Sequence, residues 1–150
     1  MGHYLLTELL IEKMIETADK TGVQGRIINL SSVIHSWVKR DDFCFARMLN
    51  PKNYNGTRAY AQSKLANILH VKELSRKLQS RNARVSINAV HPGIGASTTC
   101  YVALSPQTEG VSGKYFADCN ETNTSPLAND ESEGQRLWKQ TRALIQRRLR

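Results

Sequence analysis

The sequence predicts an α/β fold: a parallel sheet of about three strands carrying two long helices. Two observations predict it. Apolar residues recur at helical spacing over residues 3–18 and again over residues 58–79, and a short strand-like run follows each, at 26–30 and at 84–90. Helices and strands alternating in this way argue for parallel strands joined by crossovers. Right-handed crossovers then place both long helices on one face of the sheet.

Each element has its own signal. Leu5, Leu6, Leu9, Leu10, Met14 and Ile15 form the apolar stripe of the first helix, and Gly22 can end it. A β-branched run, Ile27-Ile28, follows a glycine turn and reads as a buried strand. Residues 36–56 form a long loop rich in charge, Asn and aromatics, a length usually reserved for function. Leu65, Ile68, Leu69, Leu74 and Leu78 make the inner face of the second long helix. The run 84–90 alternates apolar and polar and is closed by His91-Pro92-Gly93. Residues 98–104 predict a short helix that Pro106 ends, and 113–116 a short third strand. Three regions are expected: a domain over 1–117, a mobile acidic linker over 118–134, and a basic amphipathic helix over 135–150.

Composition excludes several classes. The net charge of +8 is concentrated at one end: six basic residues and no acid lie between Arg136 and Arg150, leaving +2 for the rest. A nucleic-acid-binding domain would carry a basic face interleaved with aromatics, so none is expected. No apolar run is long enough to span a bilayer, and the N-terminus lacks the basic n-region of a secretory signal. Cys44, Cys100 and Cys119 are scattered and odd in number, which fits unpaired thiols in a reducing compartment, and no spacing resembles a zinc site.

The chemistry centres on Tyr60 and Lys64. At i and i+4 on a helix they share a face, so the ammonium can favour the phenolate and let the tyrosine pass protons. Ser31-Ser32 ends the first predicted strand and His91-Pro92-Gly93 ends the second. Parallel sheets bind ligands at those carboxyl ends. Serines after a strand are also turn formers, and Pro-Gly is also a turn. It is their coincidence with the Tyr–Lys pair, in this order, that points to a site.

These stretches, Ile27-Ile28-Asn29-Leu30-Ser31-Ser32, Tyr60-Ala61-Gln62-Ser63-Lys64 and Asn88-Ala89-Val90-His91-Pro92-Gly93, resemble the second half of a short-chain dehydrogenase/reductase. The finer resemblance is to the retinol-dehydrogenase-like branch, nearest to plant chloroplast translocon-associated and WW-domain-oxidoreductase-like members. It implies a partial Rossmann-like sheet, NAD(P)-dependent exchange of hydride between an alcohol and a carbonyl, and a location in the cytoplasm or the chloroplast, at the periphery of its inner envelope. By resemblance, Tyr60 is the general acid/base and Lys64 assists it and holds the nicotinamide ribose. Ser32, rather than Ser31, bonds the substrate oxygen. Pro92, Gly93 and Ile94 border the nicotinamide of NADP(H) or NAD(H).

The sequence also departs from the family pattern. No glycine-rich strand–turn–helix precedes these motifs, so the nucleotide-binding half is missing from these residues. The substrate-covering segment after Pro-Gly-Ile is shortened, with Ser97 or Thr98 left to stand in for the family's threonine. The expectation is a truncated dehydrogenase that binds no dinucleotide and is inactive alone. The alternative is an interaction module. Its C-terminal helix, with Leu137, Trp138, Leu144, Ile145 and Leu149 set among positive charges, resembles a calmodulin target or a membrane-surface anchor. Dimerisation with another copy or a full-length relative through the two long helices is a further expectation.

Overall fold

The computed structural model describes residues 2–93 and 95–148. Four strands lie in the order β1-β2-β3-β4. β1 (Gly25–Leu30) pairs in parallel with β2 (Val85–His91), running in register from Gly25 opposite Val85 to Leu30 opposite Val90. β3 (Tyr115–Ala117) pairs in parallel with β2, and β4 (Asn120–Glu121) returns antiparallel to β3. The fold is α/β with a mostly parallel sheet. β4 was not expected, because nothing in the sequence marks its turn. Asp118 (φ 48°) and Cys119 (φ 59°) both take the left-handed conformation, the mirror-image turn that suits a twisted hairpin but that Asn-Gly or Asp-Gly normally supplies.

Among the described residues there are five α-helices: α1 (Gly2–Thr21), α2 (Phe45–Met48), α3 (Gly56–Ser80), α4 (Ser97–Leu104) and α5 (Glu131–Arg148). The Asn55 side chain starts α3 by accepting the Arg58 N–H at 2.9 Å. Asn82 (φ 50°) stops it: its N–H bonds the Gln79 carbonyl while the next, Ala83, reaches back to Leu78, a Schellman ending.

The core divides between the two faces of the sheet. On one, Leu65, Ile68, Leu69 and Leu78 of α3 and Ile11 and Ala18 of α1 pack on Ile87, Ala89 and Tyr115, as the right-handed crossovers require. On the other, Val102 of α4 meets Val90 and Phe116. Alternate residues of a strand point to opposite faces, so β2 is buried on both.

α1 seats Tyr4, Thr7, Ile11 and Ala18 inward, one face at helical spacing. The leucine stripe expected to be its core face is therefore largely outside, with Leu6 61% and Leu9 72% exposed. α5 docks across α3, burying Leu137 and Thr141. Residues 118–134, expected as a linker, carry β4 and a 3-10 turn (Pro126–Asn129) whose Leu127 and Ala128 join the core.

β1 forms the border of the sheet. Its only charge, Arg26, turns away to α4. One guanidinium nitrogen donates to the Ser105 carbonyl at 2.8 Å and the Thr108 hydroxyl at 3.0 Å, with longer approaches to the Ala103 and Val102 carbonyls. Carbonyls at the end of a helix lack partners within it, Thr108 shares in meeting those of Val102 and Ser105, and a cation there also suits the helix dipole.

Candidate functional site

The carboxyl ends of β1 and β2 come together because the strands are parallel and in register. The Ser31 N–H extends the ladder by one bond, to the Val90 carbonyl at 2.7 Å. The Ser31 side chain is buried, and its hydroxyl donates to the Lys64 carbonyl at 2.9 Å, so it serves the joint between β1 and α3. Ser32 differs. It is extended (φ −163°), half-buried, and caps the 3-10 turn Val33–Trp37 by accepting the Ile34 N–H at a long 3.4 Å. Accepting leaves its own proton available to a ligand.

α3 brings in the Tyr–Lys pair one turn apart. The Lys64 ammonium stands 5.2 Å from the centre of the Tyr60 ring, within cation–π range, and Tyr60 remains half exposed. Lys64 also donates to the Leu30 carbonyl at 3.3 Å, and Asn67 donates to the same oxygen at 2.9 Å. Two side chains of α3 are thus tied to the last residue of β1, and Tyr60 and Lys64 are carried to the end of the strand that Ser32 follows. Asn67 was not singled out from the sequence, although its place three residues after Lys64 puts it on the same face.

At the end of β2, Pro92 is half-buried. Gly93 is exposed in a left-handed conformation (φ 65°) that a side chain would strain. Ile94 lies outside the described residues. Of the two residues expected to replace the family's threonine, Thr98 is buried and its hydroxyl accepts the Cys119 N–H at 3.2 Å, while Ser97 is exposed. Thr98 therefore holds the β3–β4 turn, which leaves only Ser97 open to a ligand.

His35 was missed, and it supports Ser32. Its Nδ1 faces the Ser32 carbonyl at 2.8 Å and its Nε2 accepts the Ser125 N–H at 3.2 Å. An Nε2 that accepts places the ring proton on Nδ1, which donates to Ser32. Burial holds His35 below the usual histidine range, against the hydrogen bond to Ser32, and Tyr115 packs edge-on against the ring at 5.0 Å. The only sequence signal is a histidine one 3-10 turn after a serine. Its second partner lies 90 residues away.

The donor set suits the ribose end of a nicotinamide cofactor. Lys64 spends one N–H on Leu30 and has two more, and Gly93 presents backbone without a side chain. Among the described residues no group of His, Cys, Asp and Glu is arranged to hold a metal ion, and no helix is long and apolar enough to cross a membrane.

No family model matches the chain. It is 41% identical over 167 residues to the short-chain dehydrogenase TIC 32 B, chloroplastic, of Brassica napus, an alignment covering 92% of this chain and 52% of that protein. It is 34% identical over 177 residues to human retinol dehydrogenase 14, covering 97% of this chain and 50% of that one. Among solved structures, an uncharacterised protein from Mycobacterium paratuberculosis superposes with a TM-score of 0.72 at 25% identity, over 92% of this chain and 53% of the other. The chain spans about half the length of the relatives it matches. The relatives it matches over nearly its whole length are members of the short-chain dehydrogenase/reductase family, the retinol dehydrogenases among them.

Proposed function

We propose that the chain carries the proton-transfer half of an NAD(P)-dependent oxidoreductase acting on a small alcohol or carbonyl compound. The observation that carries this reading is the Lys64 ammonium 5.2 Å from the Tyr60 ring, on a helix fastened to the end of β1. In it Tyr60 exchanges a proton with the substrate oxygen, and Lys64 stabilises the phenolate and binds ribose hydroxyls. Ser32 donates to the same oxygen, its backbone held by His35. Pro92 and Gly93 border the nicotinamide. NADP(H) or NAD(H), when bound, supplies the hydride.

These 150 residues include no glycine-rich phosphate loop, so alone they are expected to bind no dinucleotide and to turn over no carbonyl. Calorimetry with NADPH tests that half of the proposal, and micromolar binding would sink it. The chemistry is tested by joining the chain behind the first half of TIC 32 B. The fusion should reduce aldehydes with NADPH, and Tyr60→Phe should lower its kcat by about 10²–10⁴. An unchanged kcat would remove Tyr60 from its role. The chloroplastic naming of the Brassica relatives supports a chloroplast location over a cytoplasmic one, which a fluorescent fusion would decide.

A second, non-catalytic reading is favoured by α1, whose Leu5, Leu6, Leu9 and Leu10 are all exposed. In it the chain associates with another copy or with a full-length relative. Co-purification with the relative supports this reading, and a monomer with no partner removes it. Calmodulin binding by α5 is less favoured, because Leu137 and Trp138 already pack inside the molecule.

A further inference from the structure

One cavity is bordered by Lys64 and Asn67 but otherwise belongs to none of the groups assigned above. It has a volume of about 290 Å³ and lies where α1, α2, α3 and α5 meet. Its walls are mostly aromatic and apolar: Tyr4, Phe45, Met48, Leu137 and Trp138, with His70 on α3. The rings are ordered against one another. His70 stacks on Trp138 at 5.5 Å with planes 5° apart, and Tyr4 stands edge-on to both, at 5.2 Å and 4.9 Å.

Polar atoms in this wall have been left without partners. Among the described residues, neither ring nitrogen of His70 nor the Tyr4 hydroxyl has a hydrogen-bond partner, and both side chains are more than nine-tenths buried. Most buried polar atoms in folded proteins are bonded, because leaving one unmet costs about 1–3 kcal/mol. Three such atoms buried just behind one cavity wall are an unmet demand that a guest settling between the rings would meet with hydrogen-bonding atoms of its own.

The chemistry of the demand narrows the guest. Burial pushes His70 down to about 4 and Tyr4 up to about 12, so both stand neutral near pH 7. Neutral imidazole offers one donor and one acceptor, and a phenol offers both, which is what a hydroxyl group complements. A cavity of ~150 Å³ holds benzene, so this one has room for a ring with a short chain and a hydroxyl. Aromatic walls favour an aromatic ring.

We propose that this cavity is a binding site for a small phenol-like aromatic alcohol, its ring packed among Trp138, Tyr4 and Phe45 and its hydroxyl meeting His70 and Tyr4. The site shares Lys64 as a border with the groups proposed above but holds its guest's ring and hydroxyl on other residues, and it stands whether or not those groups are catalytic.

The test is calorimetric titration of the chain with 4-ethylphenol, ethylbenzene and 4-ethylbenzoate. 4-Ethylphenol should saturate one site and bind at least about tenfold more tightly than either of the others. His70→Phe keeps a flat ring against Trp138 and removes both nitrogens. It should bring 4-ethylphenol and ethylbenzene to nearly equal affinity while ethylbenzene still binds. Should that variant not fold, Tyr4→Phe, which removes a single oxygen, should narrow the preference severalfold. Equal affinities in the unaltered chain, tighter binding of the benzoate, or no saturation by 4-ethylphenol at about 1 mM would overturn the proposal.

Discussion

Replacing Gly113 by alanine should unfold this protein more readily than the same change three residues earlier, and the structure gives the size of the difference. Gly110 and Gly113 both adopt left-handed backbone, with φ of 73° and 77°. An added Cβ at Gly110 meets nothing within 4 Å, whereas at Gly113 it falls 2.9 Å from the Ser75 hydroxyl and 3.1 Å from the Ser75 Cβ. Ser75 cannot easily withdraw. It is buried in α3, and its hydroxyl donates at 2.9 Å to Ser112, whose oxygen in turn accepts the Ile87 N–H at 3.0 Å. Left-handed backbone costs alanine about 1–2 kcal/mol, partly offset by about 0.4–1 kcal/mol from a stiffer unfolded chain. Gly110→Ala should therefore cost about 1 kcal/mol. Overpacking adds about 1–3 kcal/mol, so Gly113→Ala should cost about 2–4 kcal/mol. Urea unfolding followed by circular dichroism measures both, at unchanged dependence on denaturant. In a Ser75→Gly background, the cost of Gly113→Ala should fall to that of Gly110→Ala. Equal costs in the unaltered chain, or a clash that persists without the Ser75 side chain, would refute the reasoning.

Other outcomes follow from groups already described. His70 titrates lower in the fold, at about 4, than its ordinary 6.5. The unfolded chain therefore takes up a proton first, and stability should decline as pH falls from 6.5 towards 4, by roughly 3 kcal/mol in all, and level off below. His35 shifts in the same direction, so the measure is the difference between the chain and His70→Phe, which should lose most of that slope. Asp130, held down to about 2 by Ser132 and Arg40, loses its contribution only below 3.8 and stays outside that window. Arg26→Met keeps the apolar stem and removes the bonds to the end of α4. It should cost about 1.5–3 kcal/mol, with faster amide exchange in α4, and protection left intact there would argue against the capping role.

The parts of this molecule visible in its sequence are those with period and length. β1, α3 and β2 were legible because β-branched residues, leucines at helical spacing and apolar–polar alternation each leave a pattern, and the structure places them within two or three residues of the expected bounds. That α3 would bring Lys64 to the end of β1 could be foreseen from chain order alone, since parallel strands put their carboxyl ends together. What escaped has no period. α2 is a single turn in a long loop, and β4 depends on two left-handed residues that are not glycine. For α1 the stripe was read one step around the helix: Tyr4 and Thr7 were passed over for leucines, and packing against His70 and Trp138 chose the tyrosine. His35 and Ser125 were invisible as a pair because only the folded chain joins them.

Arg26 carries a consequence for how the protein behaves among its own kind. A strand at the border of a sheet usually keeps a charge pointed outward to discourage a neighbour's strand from adding on. β1 has one charge and uses it on α4. The bonds that hold the helix thus disarm the strand, and local firmness and solubility draw on the same guanidinium in opposite senses. A lysine added to the outer flank of β1 would separate the two: the concentration at which the chain precipitates should rise while its unfolding midpoint stays in place.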